Sequence, residues 1–181
     1  MSKSTFFLRQ QLIATNDETF VEAELDLGAY VNLGSTKPQV LRVHSVQVQF
    51  SDSQGLVPTI KPASQVGDMK AAFCNTSITT KARSSVNLIP MLSDDETMFT
   101  AALVGATQNT SQNGDQGIYS DAMDIAPQHL SNGYLVGVDT LHFYAVADDG
   151  WGENVYVSYC LECSVEPATR ENAINLALSQ S

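Results

Sequence analysis

Residues 155–166 alternate strictly between two kinds of side chain, and this pattern constrains the fold more than any other feature of the sequence. One row is mostly apolar: Val155, Val157, Tyr159, Leu161, Cys163 and Val165. The other row is mostly polar: Tyr156, Ser158, Cys160, Glu162, Ser164 and Glu166. Successive side chains of a β-strand point to opposite faces, so the pattern predicts a long antiparallel strand buried on one face. Pro167 predicts its end.

Two earlier segments have the same period of two. Residues 21–27 alternate between apolar and acidic side chains, which predicts a half-buried strand with an acidic outer face. Residues 41–50 also alternate, but the apolar row changes parity near His44 and Ser45. A change of parity within one strand predicts a β-bulge or bend at that point.

The middle of the chain predicts shorter strands and a polar loop. Strands are expected at residues 69–74, 77–80, 86–92, 98–105, 134–138 and 141–147. Residues 106–117 are rich in Gly, Asn and Gln and predict an exposed loop. About eight strands with little helix between them predict an all-β fold, either a sandwich or a barrel.

The C-terminal segment predicts a short amphipathic helix over residues 167–181. Pro167 or Ala168 suits the helix start, and Ile174, Ala177 and Leu178 recur at the spacing of one helix face. We therefore expect this helix to dock on the domain or on a neighbouring molecule.

The charge balance excludes one class of partner. The chain has nine basic and twenty acidic residues, a net charge of −11, and only 16% charged residues overall. Nucleic acid would be repelled by most of this surface, so no direct nucleic-acid binding is expected. A surface so poor in charge is typical of a protein partly covered by neighbours.

The residues that could carry catalysis do not form a recognisable set. His44, His129 and His142 have no nucleophile partner in a known motif, and no phosphate-binding loop is present. Cys160 and Cys163 have zinc-like spacing, but the alternation places them on opposite faces of a strand. The third cysteine, Cys74, leaves an odd count, so the pattern assigns none of the three a role. We expect no enzyme activity and no cofactor.

The segment DDGWGEN, residues 148–154, admits two interpretations. Asp148, Asp149 and Glu153 are weak candidates for calcium ligands, although their order is not that of a calcium loop. The alternative is a polar hairpin loop in which Gly150 and Gly152 adopt positive φ.

This layout resembles that of the single jelly-roll major capsid proteins of tailless icosahedral double-stranded DNA viruses that contain an internal membrane, from archaea and bacteria. The resemblance rests on the extended segment from Ser2 to Asp17, on the strands, and on a long final hairpin around residues 148–154. It implies a single jelly roll at residues 19–166, preceded by an N-terminal arm at 1–18 and followed by the helix or tail at 167–181. Such proteins carry no catalytic residues.

The function expected from these observations is that of a capsid subunit that assembles through lateral contacts. The residues expected at contacts are Trp151, Phe6, Phe7, Ile174 and Leu178. The expected partners are copies of the chain, a second coat protein and an internal membrane. The apolar patch from Phe6 to Leu8 is too short for a secretory signal, so the expected location is the virion rather than a secreted pool.

Two alternatives stay open. The chain could be a carbohydrate-binding β-sandwich that stacks sugars on exposed aromatic rings, with candidates Trp151, Tyr30, Tyr119 and Tyr134. It could also be a subunit of a filament or a surface layer.

Overall fold

A computed structural model describes residues 4–83, 89–90, 93–109, 115–117 and 128–180, with side chains described at all of these except 115–117 and 128–131. Within this part of the chain the strands are β1 Phe6–Ala14, β2 Val21–Asp26, β3 Gln39–Ser51, β4 Met69–Thr79, β5 Thr97–Gln108, β6 Asp115–Gly117, β7 Gln128–Val136, β8 Thr140–Ala147 and β9 Val155–Pro167. One helix follows them, α1 Arg170–Gln180.

The described strands form two antiparallel sheets that enclose the core. The smaller sheet has the order β1-β9-β3-β7, and the larger has the order β2-β8-β4-β5-β6. Early strands pair with late ones: β1 with β9, β2 with β8, β3 with β7, and β4 with β5. This nested pairing is that of one long antiparallel ribbon rolled into two layers, which is a jelly roll. The predicted all-β sandwich with a C-terminal helix is confirmed.

The core lies between the sheets and is built from the inward rows of their strands. The apolar row predicted for β9 is buried, including Val157 and Leu161, neither of which is exposed at all. From the opposite sheet, the ring of Phe143 packs edge-on against Tyr159 with the ring centroids 4.9 Å apart. Burial of apolar rows from both sheets therefore holds the two layers together.

The change of parity in β3 is a β-bulge, as predicted. The pairing register of β3 shifts between Val43 and Ser45 against both of its neighbours. Because of this shift, Val43 and Val46 are both buried although they lie an odd number of residues apart. The bulge therefore lets this long strand bury apolar side chains in the core on both sides of the change in parity.

The segment predicted as an N-terminal arm at 1–18 is in fact a strand over Phe6–Ala14. This strand pairs with β9 along its whole length and forms an edge of the smaller sheet. Leu12 and Ala14 enter the core. The polar Gln10 occupies an inward, half-buried position and interrupts the apolar row, which is why the alternation is hard to see in the sequence.

The strands predicted at 69–74 and 77–80 are one continuous strand, β4. Asn75 does not break it, because its side chain lies on the outward row, where a polar group remains half exposed. Its neighbours across the sheet are Ala102 of β5 and Val146 of β8. The predicted loop at 106–117 is shorter than expected, since β5 continues to Gln108 and pairs with β6. Most of the strand predicted at 86–92 lies outside the described residues.

A buried polar chain crosses the core and generates a prediction about stability. The hydroxyl of Thr76 donates to the carbonyl of Tyr144 over 2.6 Å and is hydrogen bonded to the phenol of Tyr159. Burial raises the pKa of the Tyr159 phenol, so it keeps its proton and can donate to Thr76 at neutral pH.

We expect Thr76→Val to destabilise the fold more than Tyr159→Phe. The first change leaves a buried phenol without an acceptor, which costs about 1–3 kcal/mol, whereas the second removes one hydrogen bond, worth about 1 kcal/mol. Urea unfolding of the purified chain measures the loss of stability in each variant, and the double variant should lose less than the sum of the two. Additive losses would contradict a direct contact between the two hydroxyls.

Candidate functional site

Residues 148–154 join the two sheets, which corrects the hairpin predicted here. The strand before this segment, β8, pairs with β2 and β4 in the larger sheet. The strand after it, β9, pairs with β1 and β3 in the smaller sheet. We call residues 148–154 the crossing loop. It closes one end of the sandwich, where the inward rows would otherwise meet water.

Trp151 closes this end from within its own subunit. Its side chain is entirely buried, and its indole Nε1 donates to the carbonyl of Phe73 over 2.8 Å. Its backbone pairs with Ile60, and its carbonyl accepts a hydrogen bond from the side chain of Asn16 at 3.0 Å. The structure thus makes Trp151 a contact that holds the loop and leaves no part of its ring exposed for a neighbour.

Neither glycine of the crossing loop adopts the predicted positive φ, and Gly150 has a steric role instead. Among the described glycines, those with positive φ are Gly55, Gly67 and Gly133. A Cβ atom on Gly150 would lie 2.1 Å from the carbonyl oxygen of Ala71, which no side chain tolerates. Gly150 is therefore required because the backbone of the crossing loop lies directly against β4.

Each carboxylate of the crossing loop already has its own partner. Asp148 is buried and accepts hydrogen bonds from the amides of Phe73 and Gly150, at 3.0 Å and 3.2 Å. The Lys70 ammonium lies 3.0 Å from Asp149. One oxygen of Glu153 accepts from both the amide and the hydroxyl of Thr59. Calcium binding here stays a prediction, and it would require these groups to exchange their partners.

The two phenylalanines near the N-terminus lie on different faces of β1. Phe6 is half-buried and its ring stacks on Tyr30, with centroids 4.9 Å apart. Phe7 is 51% exposed on the outer face, beside Arg9. Ile13 shares that outer face and is also exposed. In the described residues β1 pairs with one neighbour only, so its other edge is open to a further strand.

Helix α1 docks on the smaller sheet with a face that was not predicted. Ala173 and Gln180 are buried, and the Gln180 side chain bonds the backbone of Leu135 and Gly137 at 2.7 Å and 2.8 Å. Of the predicted face of Ile174, Ala177 and Leu178, Ala177 is half-buried, while Ile174 and Leu178 are exposed to solvent and do not dock on the domain. Their spacing is that of a helix face, which leaves an apolar face pointing outward.

The aromatic residues considered for sugar binding do not form an exposed platform. Trp151 is buried, and Tyr30 and Tyr134 are half-buried against the core cluster. Tyr119 lies outside the described residues. Stacking on sugars needs an accessible ring face, and in the described part of the chain these three residues do not offer one.

An apolar surface on the larger sheet was missed by the sequence analysis. It lies on the outward rows of β4 and β5, where Phe73 faces Val104, Ala71 faces Ala106, and Met69 faces Gln108. Met69, Phe73 and Val104 are 68%, 38% and 40% exposed. We call the five apolar residues among these pairs the apolar strip: Met69, Ala71, Phe73, Val104 and Ala106. The signal was present in residues 101–106, which are apolar or glycine at both parities, a pattern typical of a strand covered on both faces.

The alternation correctly places Cys160 and Cys163 on opposite faces of β9. Cys163 is buried in the core, and burial raises the pKa of its thiol to about 12. Burial also raises the pKa of Cys74, which faces the core from β4. Cys160 is partly exposed on the outer face of the smaller sheet. These positions exclude a shared metal site for the CxxC pair.

Among the described residues, one group brings three potential metal ligands together, and it is not in the crossing loop. It consists of Glu22, Glu24 and His142 on the outer face of the larger sheet. The predicted acidic face of β2 supplies both glutamates, but the sequence does not show that His142 lies beside them. No helix in the described part of the chain is both long and apolar enough to span a bilayer.

We expect the fluorescence of Trp151 to be blue-shifted and insensitive to acrylamide in the native chain. The chain contains a single tryptophan and its ring is entirely buried, so its emission reports the crossing loop alone. Strong quenching by acrylamide in the native chain would show instead that the ring is exposed.

We expect one thiol per native chain to react with a maleimide, and that thiol to be Cys160. The thiolate is the reactive form, and the raised pKa of Cys163 and of Cys74 keeps both protonated at neutral pH. Mass spectrometry should find all three cysteines labelled after denaturation and none in native Cys160→Ser. Native labelling of Cys163 would contradict its buried position.

Comparison with other proteins supports the fold. No family model matches the sequence, and no curated protein matches it. Among solved structures, an unassembled pentamer of Merkel cell polyomavirus VP1 is similar, with a TM-score of 0.52 and 7% identity over 93% of this chain and 97% of that one. VP1 of trichodysplasia spinulosa-associated polyomavirus with GM1 oligosaccharide gives 0.48 and 11% over 93% and 96%, and VP1 of New Jersey polyomavirus gives 0.48 and 7% over 91% and 100%. Merkel cell polyomavirus VP1 is a capsid protein with the jelly-roll fold, and the fold is what this chain shares with it.

Proposed function

We propose that this chain is a structural subunit of a viral capsid and that it assembles with copies of itself through lateral contacts. The observation that carries the proposal is the apolar strip on the outer face of the larger sheet. The outer face of an antiparallel sandwich is ordinarily polar, because it faces water. A contiguous apolar surface rimmed by polar residues marks a contact with another molecule.

The apolar strip suits a flat, extended contact better than a ligand pocket. Its side chains come from the outward rows of two neighbouring strands, so they form a continuous surface and not a cavity. Exposed Val66 precedes the start of β4 and adds to the apolar surface at this end. A second copy of the chain is the partner that we propose, because the similar VP1 structure is described as a pentamer.

Two further groups of exposed apolar residues lie on the smaller sheet and on the helix that docks against it. Phe7 and Ile13 lie on the outer face of the edge strand β1, and Ile174 and Leu178 lie on the outward face of α1. Apolar residues on several sides suit a subunit with more than one neighbour, as a closed shell requires. This arrangement supports the predicted role of Phe7, Ile174 and Leu178 at contacts between subunits, and Ile13 is a further exposed apolar residue.

The charge of the chain bears on what lies inside such a shell. With a net charge of −11, the chain cannot neutralise phosphates across most of its surface. We propose that a membrane or an inner protein layer separates it from the genome, and that its location is the virion. We also propose that the shell is icosahedral and contains a second coat protein. The virus would then belong with the internal-membrane viruses of archaea and bacteria.

The alternatives have less support. A carbohydrate-binding module would need accessible aromatic rings, and Trp151, Tyr30 and Tyr134 do not supply them. A filament or surface-layer subunit would use the same apolar surfaces in a contact that does not close. We propose no catalytic activity, since no described set of residues suggests one and the similar structures are structural capsid proteins.

We expect purified chain to form large closed particles by light scattering and negative-stain microscopy, and Val104→Glu to prevent this. Val104 lies in the apolar strip, and a carboxylate buried there without a partner costs about 3–5 kcal/mol at each contact. The matched control is Val57→Glu, which adds the same charge at a residue that is 60% exposed in the loop after β3 and should assemble normally.

Three outcomes would contradict the proposal. Wild-type chain that stays a 19.5 kDa monomer at all concentrations and salts excludes self-assembly. Open filaments or flat layers would favour the surface-layer alternative. Assembly of Val104→Glu as efficient as that of Val57→Glu would show that the apolar strip is not a contact. Unchanged Trp151 emission confirms that each variant is folded.

A further inference from the structure

The outer face of the larger sheet carries a second feature, which is polar and acidic where the apolar strip is hydrophobic. At the edge formed by β2 and β8, Glu24 is paired across the strands with His142, and Glu22 is paired with Tyr144. Glu22 and Glu24 lie on the outward row of β2, so both carboxylates are on the same side as the His142 ring. This group joins two acidic side chains to a neutral or cationic imidazole.

The distances within this group suit a shared ion. His142 Nδ1 lies 3.2 Å from Glu22 Oε1 and 3.6 Å from Glu24 Oε1, and one ligand atom from each residue lies within 4.8 Å of the others. Zinc binds nitrogen and carboxylate oxygen at about 2.0–2.2 Å, so two ligands of a tetrahedral zinc are separated by roughly 3.3 Å. Both distances from Nδ1 are close to that separation.

A hydrogen bond explains only part of this arrangement. One Nδ1–H can donate well to one oxygen, and Glu22 at 3.2 Å takes that position. The oxygen of Glu24 also faces Nδ1, at a distance beyond an ordinary hydrogen bond. Two acceptor oxygens that converge on one nitrogen are what a cation with several coordination positions would bind.

Neighbouring side chains hold the group in place. His142 is only 7% exposed, and its ring stacks on the buried ring of Tyr144 with the centroids 6.5 Å apart, so packing fixes its orientation. The Glu24 side chain is 66% exposed, which leaves the group open to ions from solvent.

We propose that Glu22, Glu24 and His142 bind a divalent zinc ion on the outer face of the larger sheet, with water in the fourth position. The imidazole favours zinc over calcium or magnesium, which prefer oxygen ligands alone. The ion's two positive charges balance the two carboxylates. This site is independent of the proposed capsid function, because all three ligands come from one chain.

The test is calorimetric titration of zinc chloride into dispersed full-length chain. We expect one zinc per chain and a rise in melting temperature with zinc, whereas calcium chloride at the same concentration should have neither effect. Glu24→Gln should weaken zinc binding by at least about tenfold, since loss of a ligand costs no less than loss of an outer-shell partner. Glu24 is exposed, so this variant should fold.

The matched control is Asp26→Asn, on the same outward row of β2. It removes the same charge from the same strand and keeps the side-chain oxygen that accepts from the Gly28 amide. Zinc affinity should be unchanged in this variant. Absence of zinc binding to wild-type chain would overturn the proposal and leave a hydrogen bond between His142 and Glu22. Equal zinc affinity in wild type and Glu24→Gln would also overturn it, by placing the zinc elsewhere, and so would equal weakening in Asp26→Asn and Glu24→Gln.

Discussion

The central position of β9 is the constraint on which the rest of the structure depends. Its backbone pairs with β1 on one side and with β3 on the other, and the pairing with β3 shifts once, at the bulge between Val43 and Ser45. Its inward row supplies Val157, Tyr159 and Leu161 to the core, where they meet side chains from the opposite sheet. A slip of one residue in either pairing would turn that row toward water, so the alternation of β9 constrains how β1 and β3 pair with it.

The elements that could be predicted from the sequence are those with local causes. The alternation of β9, the acidic face of β2 and the bulge between Val43 and Ser45 all follow from side-chain parity, and all three are present. The sheet that each strand joins was not predictable in this way. The supposed hairpin at residues 148–154 links two sheets, and the supposed arm at 1–18 contains β1, because those pairings join residues far apart in the sequence.

The same distinction holds for the candidate sites. The composition of the crossing loop suggested ions and ligands, yet its polar groups bond to β4 and to the loop near Thr59 and Ile60. Those partners are distant in sequence, so no local pattern could identify them. The apolar strip was missed for a related reason. Residues 98–105 were predicted to form a strand, and only its pairing with β4 shows which of its side chains face outward.

The outer face of the larger sheet therefore has two surfaces that respond oppositely when another molecule covers them. The half near Phe73 and Val104 is apolar and gains free energy only when another surface covers it. The half near Glu22 and His142 is acidic and would lose free energy if it were covered without a compensating cation. A neighbour that covered both halves would therefore need to bring a positive charge to the acidic edge. A neighbour confined to the apolar strip would leave that edge in water, where an ion can reach it.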